Sequence, residues 1–249
     1  MGSGHWKNVS VTRRERTATP DALTAKRPMK AMILAAGSGV RMRPLTDVKP
    51  KPLLEVRGKA LIEWLVESLA RAGLREIVIN HAHLGNMIES ALGDGARFGV
   101  AISYSREVQA LETAGGITKA LSLLGKEPFV AVNGDIFCDF DFASLAKRKL
   151  SRNLAHLVLV PNPVHHPQGD FGLDGDEVLA EGEPRWTFSG IGLYRAELFE
   201  GISPGSKGQL APLLRAAMAH RQVSGEIHFG VWHDVGTPER LDALNALVA

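Results

Sequence analysis

The amino-acid sequence predicts an α/β fold in which helices cover a mainly parallel, mixed central sheet in three layers, α/β/α. Short apolar runs typical of buried strands alternate with amphipathic helical segments along residues 29–150. The connections are a few residues long, and a glycine-rich turn directly follows the first apolar run, residues 31–35. Because such alternation leads to right-handed crossovers between parallel strands, these observations indicate a sheet with helices on both faces.

The elements of the first half follow from their periodicity. Apolar residues at 62, 65, 66 and 69 fall at i, i+3, i+4 and i+7, which predicts an amphipathic helix. Gly73 stands where a helix-ending glycine belongs. The other segments are predicted strands at 76–80, 100–104 and 129–132, and predicted helices at 84–92 and 114–123.

After residue 150 the pattern changes to strands with fewer helices between them. We predict strands at 156–160 and 186–194, with a hairpin around Asp174-Gly175. Helices are predicted at 209–220 and 238–247. We expect residues 29–249 to form a single domain.

Length and composition exclude several classes of protein. The chain has 249 residues, of which 45% are hydrophobic and 22% charged, which is ordinary for a globular domain. No apolar run approaches the roughly 20 residues that a membrane helix needs, and the N-terminus lacks the apolar segment of a secretory signal. The single cysteine, Cys138, excludes an internal disulfide and suits a reducing cytoplasm, where we expect the protein.

The positive charge is concentrated at the N-terminus. Residues 1–28 hold six basic and two acidic side chains, which leaves 23 basic and 25 acidic side chains for the rest. We expect residues 1–28 to be a disordered or cloning-derived basic extension. A mildly acidic body argues against nucleic acid as a partner.

The glycine-rich turn matches neither of two common phosphate-binding loops. A dinucleotide-binding fingerprint would need a third glycine at position 42, which is Met42, and a Walker A loop would need Gly-Lys-Ser/Thr. Gly37 and Gly39 would let backbone N–H groups approach a polyphosphate, and Arg41 and Arg43 would add positive charge. The alternative is a plain turn with solvated arginines.

Lys51 lies between Pro50 and Pro52. Because proline restricts its own φ and disfavours the helical conformation of the preceding residue, we predict a rigid extended stretch here. Such a mount would fit a phosphate clamp, whereas the alternative is a proline-rich surface loop.

Five motifs in order resemble the sugar-1-phosphate nucleotidylyltransferases, from about Met29 to the C-terminus. They are Gly37-x-Gly39-x-Arg41-Met42-x-Pro44-Leu45-Thr46, Pro50-Lys51-Pro52-Leu53, Leu111-Glu-Thr-Ala-Gly-Gly-Ile117, Val132-Asn-Gly-Asp135 and Asp234-Val-Gly-Thr-Pro-Glu-Arg-Leu241. The resemblance implies a Rossmann-like fold, with a nucleotide-binding half (29–150) and a sugar-phosphate-binding half (151–249). This sequence departs from the family at Val40, where a threonine is usual.

The resemblance also implies roles for individual residues. The catalytic residues would be Arg41, Lys51 and Asp135, and the ligands of Mg²⁺, or of Mn²⁺ in its place, would be Asp135 and Asp234. Nucleotide contacts would come from Leu34, Ala35, Ala36, Gly37, Gly39, Val40, Arg41, Lys51, Asn80, Glu112, Thr113, Gly115 and Asn133. Sugar-phosphate contacts would come from Asn162, Asp170, Ser189 and Gly190. Asp234 has an alternative role at a helix start, since Thr237-Pro238 is a good N-cap and N1 pair.

The segments at 162–171 and 187–191 are most similar to the short uridylyltransferases of cell-wall recycling, which join UTP to N-acetylmuramic acid 1-phosphate. Many family members have Glu-Lys-Pro in the strand before a Gly-x-Tyr strand, with the lysine binding the sugar phosphate, and residues 180–191 contain no such lysine. Mannose-1-phosphate guanylyltransferases and glucose-1-phosphate thymidylyl- or uridylyltransferases remain alternatives, as does an inactive nucleotide-binding subunit. An NAD-dependent dehydrogenase is disfavoured by Met42. We expect no membrane partner, and a monomer or small homo-oligomer.

Overall fold

A computed structural model describes residues 1–2 and 28–247 of the chain. The basic extension predicted for residues 1–28 therefore lies, for residues 3–27, outside the described residues. The strands are β1 (Ala31–Leu34), β2 (Glu55–Val56), β3 (Lys59–Ala60), β4 (Glu76–His81), β5 (Ala101–Arg106), β6 (Phe129–Asn133), β7 (Ile136–Cys138), β8 (Ala155–Val160), β9 (Phe171–Asp174), β10 (Glu177–Leu179), β11 (Arg185–Tyr194), β12 (Val223–Ile227) and β13 (Trp232–Asp234). The α-helices are α1 (Leu45–Val48), α2 (Leu61–Arg71), α3 (Gly85–Leu92), α4 (Glu112–Leu124), α5 (Phe142–Lys147), α6 (Leu210–Ala219) and α7 (Pro238–Leu247).

The central sheet is mixed and has the strand order β5-β4-β1-β6-β11-β8-β12-β10-β9. The first four strands run parallel, and β11 runs antiparallel to both β6 and β8. The chain proceeds from β1 to β4 and β5 on one side, whereas β6 lies on the other side of β1. The strand order thus reverses beside β1, and such a reversal opens a crevice at the carboxyl ends of the strands.

Alternate residues of the central strands belong to two different hydrophobic clusters. Ala31 and Ile33 of β1 pack in a cluster with residues of α2 and α3. Met32, between them, packs in a cluster with residues of α4 and α6. Because successive side chains of a strand point to opposite faces, the two clusters cover opposite faces of the sheet. The α/β class with a mixed sheet follows from this arrangement. The described sheet is not mainly parallel as predicted, since it has four parallel pairings and five antiparallel pairings that all involve strands of the second half of the chain.

The second half of the sheet curls back on itself. The first two residues of β11 pair with β9, while Thr187–Tyr194 pairs with β8. The pairing with β8 shifts register between Phe188 and Ile191. This irregularity bends β11 away from the flat sheet, beside the point where β6 ends.

The predicted elements of regular periodicity are all present, with boundaries that differ by a few residues. The hairpin at Asp174-Gly175 is confirmed, as β9 and β10 pair around Gly175 at φ +59°. The extended stretch expected at Lys51 is wrong. Pro50 is extended, but Lys51–Leu53 forms a 3₁₀ turn in which Leu53 N donates to Pro50 O.

The periodicity did not indicate β12, whose middle residues are Ser-Gly-Glu. A Cβ on Gly225 would lie 3.0 Å from Leu157 O of the neighbouring strand, so the strand needs this glycine for close pairing. The short helix α5 and the ribbon formed by β7 and β13 were also not predicted, because each is too short to show a period. Within residues 28–247, no helix is both long and apolar enough to cross a membrane.

Candidate active site

Three predicted residues lie side by side at the carboxyl edge of the parallel strands. Leu34, the last residue of β1, is in register with Asn80 of β4 and with Asn133 of β6. Beyond them opens a cavity of about 380 Å³, here called the first cavity, between the turn after β1 and the start of α4. It lies at the strand-order reversal beside β1, where open α/β sheets bind their ligands.

The turn after β1 depends on Gly39. This residue has φ +64°, and a Cβ there would lie 2.9 Å from Cγ2 of Thr46. The Thr46 hydroxyl donates to Gly39 O at 2.8 Å, and Met42 N donates to the same oxygen at 2.8 Å. By contrast, a Cβ on Gly37 would meet no protein atom within 4 Å, and Gly37 lines the first cavity. The fold therefore requires glycine at position 39, whereas position 37 borders open space.

Arg41 lies where two cavities meet. It lines the first cavity and also a second cavity of about 410 Å³. Among the described residues no acidic side chain forms an ion pair with Arg41, whereas Arg43 Nε lies 3.1 Å from Asp47 Oδ1. The Arg41 guanidinium is exposed and is available to an anion in either cavity.

Lys51 and Asp135 form a partly buried ion pair at this junction. The Lys51 ammonium donates to Oδ2 of Asp135, which lies two residues after the end of β6. Both residues line the first cavity, and Asp135 also lines the second. The 3₁₀ turn at Lys51 rather than an extended stretch carries the ammonium to this carboxylate.

Asp234 reaches the same region through the ribbon of β7 and β13. It pairs with Ile136 in that ribbon, and Val235 N donates to Asp135 O at 2.9 Å. Asp234 Oδ1 lies 3.0 Å from His165 Nε2, and Arg240 Nη1 donates to Asp234 Oδ2 at 2.6 Å. The Asp234 side chain thus belongs to the wall of the second cavity. Thr237, rather than Asp234, caps the start of α7, since its hydroxyl accepts from Arg240 N at 3.4 Å.

The carboxylates present fit a magnesium ion that takes its other ligands from phosphate and water. Within residues 28–247 there is no group of three or more His, Cys, Asp or Glu side chains arranged to hold a metal. Asp135 and Asp234 nevertheless border one cavity, and Mg²⁺ is commonly held by one or two carboxylates together with substrate phosphates.

The second cavity holds three of the four residues expected to contact the sugar phosphate. Asp170, Ser189 and Gly190 line it. Asp170 Oδ2 accepts from Phe188 N at 2.8 Å, and its Oδ1 lies 3.1 Å from His166 Nε2. The Ser189 hydroxyl donates to Val158 O at 2.6 Å, so the irregular part of β11 already uses it. Gly190, at φ +77°, has no Cβ to collide with the side chain of Asn133.

Two expected site residues do not line either of these cavities. The Asn162 amide donates to Pro167 O at 3.2 Å and to Arg185 O at 3.0 Å, so it connects the loop after β8 to the start of β11. Gly115 lies inside α4, and its N–H donates to Gly208 O at 3.1 Å. A Cβ on Gly115 would clash with the backbone of Ser206, so this glycine serves packing. The other expected nucleotide contacts all line the first cavity.

Sequence reasoning missed two charged residues at the site. Arg240 lines the second cavity. It was not among the expected site residues, although it lies within the motif at 234–241. Glu107 is buried beside the first cavity, where Asn80 Nδ2 donates to its Oε1 at 2.7 Å. A signal for Arg240 existed in the motif, whereas nothing in the local pattern around Glu107 indicates its burial.

Two residues with shifted pKa values, Cys138 and Glu89, have structural roles rather than roles in catalysis. Burial raises the pKa of the Cys138 thiol to about 11, so it is a thiol rather than a nucleophilic thiolate at neutral pH. The Arg106 guanidinium bonded to Glu89 lowers the pKa of that carboxyl to about 2 despite the opposing effect of burial. Neither residue lines the two cavities.

Comparison with known proteins agrees with this geometry. A family model described as nucleotidyl transferase matches residues 30–174. The chain is 54% identical over 226 residues to the N-acetylmuramate alpha-1-phosphate uridylyltransferase of Neisseria meningitidis serogroup B, an alignment that covers 88% of this chain and 98% of the relative. It is 32% identical over 237 residues to the protein of the same name from Caulobacter vibrioides, covering 89% and 98%.

A solved structure gives the same result for the fold. A crystal structure of a Bacillus anthracis protein, described as a putative glucose-1-phosphate thymidylyltransferase, superposes with a TM-score of 0.78 and 24% identity, over 88% of this chain and 94% of that one. The strand-order reversal, the glycine turn and the two carboxylates thus occur in a chain whose sequence matches one family over more than half its length. This protein is a member of the nucleotidyl transferase family.

Proposed function

We propose that this protein is a uridylyltransferase that joins UTP and N-acetylmuramic acid α-1-phosphate to give the UDP-sugar and pyrophosphate. Its similarity to two relatives of that name, each over nearly the whole of both chains, supports this substrate pair. The geometry agrees in the feature that a two-substrate transfer requires, namely two adjoining cavities with shared walls.

The observation that carries the proposal is the junction of the two cavities. Arg41, Asn133 and Asp135 line both of them. A nucleotide in the first cavity and a sugar phosphate in the second would bring their phosphates together at these residues. In-line transfer needs the attacking oxygen and the leaving group on opposite sides of one phosphorus, which a continuous two-part cleft allows.

The proposed reaction needs no nucleophile from the protein. An oxygen of the sugar 1-phosphate forms a bond to the α-phosphorus of UTP while the bond to the pyrophosphate oxygen breaks. A phosphate monoester has a second pKa of about 6, so at neutral pH the attacking oxygen is already ionised. The task of the protein is therefore to hold two polyanions in contact.

Positive charge and backbone N–H groups suit that task. We assign Arg41 to the β- and γ-phosphates, where it would stabilise the leaving pyrophosphate, and Lys51 to the α-phosphate. The backbone of Leu34–Val40 would border the triphosphate, and Glu112 and Thr113 would contact the nucleobase. Asp135 and Asp234 would hold Mg²⁺, which when bound supplies positive charge that offsets phosphate repulsion.

On the acceptor side we assign Arg240 to an anionic group of the sugar phosphate. A Cβ on Gly236 would clash with Arg240 Nη2, so the absence of a side chain there makes room for the guanidinium. Its Nη1 is occupied by Asp234 and by His165 Nε2 at 2.8 Å. Arg240 would thus take the part of the lysine missing from residues 180–191, with Asp170, Ser189 and Gly190 forming the cavity around the sugar.

The two cavities support the proposed division into a nucleotide-binding half and a sugar-phosphate-binding half. Residues 29–150 supply nearly all of the first cavity, and residues 151–249 supply most of the second. The two hydrophobic clusters on opposite faces of the sheet support the three-layer α/β/α arrangement expected from the sequence.

The proposal is tested by pyrophosphate release in the presence of Mg²⁺. UTP, GTP and dTTP are each combined with the 1-phosphates of N-acetylmuramic acid, N-acetylglucosamine, glucose and mannose. We expect turnover with UTP and the muramic sugar to exceed all other pairs. Preference for GTP with mannose, or for dTTP with glucose, would contradict the substrate pair, and no release from any pair would contradict the activity itself.

A further inference from the structure

Glu107 is a buried carboxylate that the proposed chemistry does not use. It follows β5 directly, and its N–H donates to His81 O at 2.8 Å. Only 6% of the residue is exposed, and among the described residues no basic side chain forms an ion pair with it. Burying a carboxylate without a cationic partner costs free energy that an apolar side chain would not cost. Its presence here therefore calls for a reason beyond packing.

The carboxylate of Glu107 connects the two walls of the first cavity. Its Oε1 accepts from Asn80 Nδ2 at 2.7 Å, and its Oε2 accepts from Leu111 N at 2.9 Å. Asn80 in turn uses its Oδ1 to accept from Ala35 N at 2.9 Å. The hydrogen bonds thus run from the turn after β1, through two buried side chains, to the residue that precedes α4.

The helix leaves space for this arrangement at one position. A Cβ on Gly116 would lie 2.7 Å from Asn80 Nδ2 and 2.9 Å from Glu107 Oε1. These contacts are too close for a side chain, so Gly116 lets α4 approach the Asn80–Glu107 pair. Ala110 and Glu112, on either side of Leu111, line the first cavity, as do Ala35 and Asn80.

Each of these hydrogen bonds determines which group donates and which accepts in the neighbouring one. Ala35 N and Leu111 N are backbone donors, so Asn80 must present its oxygen to the first and its NH₂ to Glu107. Glu107 then faces a donor at each of its two oxygens. A side-chain amide has an oxygen that accepts and an NH₂ group that only donates, so glutamine at position 107 would set N–H against N–H at one end, whichever way it turned.

We propose that Glu107 is a positioning residue that holds the turn after β1 and the start of α4 at the separation the nucleotide needs. This inference rests on the proposed function for the identity of the ligand, UTP. The hydrogen bonds themselves do not depend on it.

The first test is the Glu107→Gln variant, which keeps the size of the side chain. Because an unpaired buried donor is costly, we expect the KM for UTP to rise about tenfold or more. The KM for the sugar phosphate should change less than twofold, since Asn80, the partner of Glu107, lines the first cavity and neither residue lines the second. A UTP KM within twofold of the wild type, or equal rises in both KM values, would overturn the proposal.

The second test exchanges the two partners. In Asn80→Asp alone, two carboxylates face each other, and we expect UTP affinity to fall. In the double variant Asn80→Asp/Glu107→Gln, the amide introduced at position 107 donates to the carboxylate introduced at position 80 and accepts from Leu111 N. That carboxylate still accepts from Ala35 N, so every donor again has an acceptor.

The double variant should therefore recover at least half of the loss in UTP affinity, on a logarithmic scale, that Glu107→Gln causes. A double variant no better than Glu107→Gln would overturn the proposal.

Glu89→Gln is the matched control. Glu89 also accepts from two side chains, Arg106 and His81, near the ends of the same strands, but unlike Asn80 neither of these partners lines the first cavity. We expect it to lower the thermal unfolding temperature without changing the KM for UTP.

UTP binding measured by calorimetry without acceptor distinguishes a failure of the proposed acceptor from a failure of the proposed role of Glu107. A wild type that binds UTP but turns over no muramic sugar contradicts the proposed acceptor, while the effect of Glu107→Gln on UTP binding still tests this proposal.

Discussion

The two cavities of this protein are built in different ways. The first is formed by strand ends and backbone, namely the turn after β1 and the start of α4, with few charged side chains. The second is formed largely by charged and polar side chains from five separate parts of the chain: Arg41, 133–136, 165–170, 187–190 and 232–240. A backbone-built site recognises what all triphosphates share, whereas a side-chain-built site can select one sugar among many. Specificity for the acceptor should therefore be easier to change by mutation than binding of the nucleotide.

The largest effect is expected where the cavities meet. Arg41→Ala should lower kcat/KM by about a thousandfold or more, because a charge-stabilising arginine in phosphoryl transfer contributes on that scale. Arg43→Ala is the matched control, since Arg43 is two residues away, is exposed and lines neither cavity. Steady-state pyrophosphate release measures both. Comparable losses in the two variants would mean that the segment, rather than the Arg41 guanidinium, is responsible.

Asp135→Asn should lower kcat about a hundredfold, because the proposed metal loses a charged ligand and Lys51 loses its partner. Folding should survive, since Asp135 is partly exposed. The measurement is kcat at several Mg²⁺ concentrations together with a thermal unfolding curve. Asp242→Asn, in an exposed position of α7, serves as control. A near-wild-type kcat in Asp135→Asn would contradict the metal assignment.

Arg240→Met tests the second cavity. We expect the KM for the sugar phosphate to rise about tenfold, since a hydrogen bond to a charged group contributes roughly 1.5–3 kcal/mol. The KM for UTP should change much less. Comparing N-acetylmuramic acid and N-acetylglucosamine 1-phosphates distinguishes a contact to the lactyl carboxylate, which only the first sugar has, from a contact to the phosphate. Arg221→Met, at an exposed pair with Glu177, is the control. Unchanged acceptor kinetics would refute the assignment of Arg240.

The smallest effects are expected from alanine substitutions at two glycines of the same turn. Gly39→Ala should lower the free energy of unfolding by about 1–3 kcal/mol, because φ +64° is strained for alanine and its Cβ would crowd Thr46. Gly37→Ala should leave stability unchanged but raise the KM for UTP, since its Cβ would occupy cavity space. Chemical denaturation and UTP kinetics of both variants measure this. Equal stability of the two variants would contradict the separate roles.

The prediction from sequence worked best where function resides in contiguous residues. The glycine turn, Lys51 and the strand end at Asp135 each lie within one motif, and the structure brings all of them to the first cavity or its edge. Their neighbours in sequence are also their neighbours in space, because a turn after a strand is a local structure. Asn162 and Gly115 line neither the first nor the second cavity. A motif shows that a segment is near a site but not which way each side chain points.

The sequence by itself determined the α/β class and the alternation of the longer strands and helices, since these depend on periodicity. The residues of the proposed nucleotide side came from the motifs that resemble the family. Only the tertiary structure decided how Arg240 and His165 meet Asp234, and how Glu107 joins Asn80 to Leu111. Those contacts join residues from separate elements of the chain. Their geometry follows from how the sheet curls and how closely α4 packs, and no local pattern of residues encodes that packing.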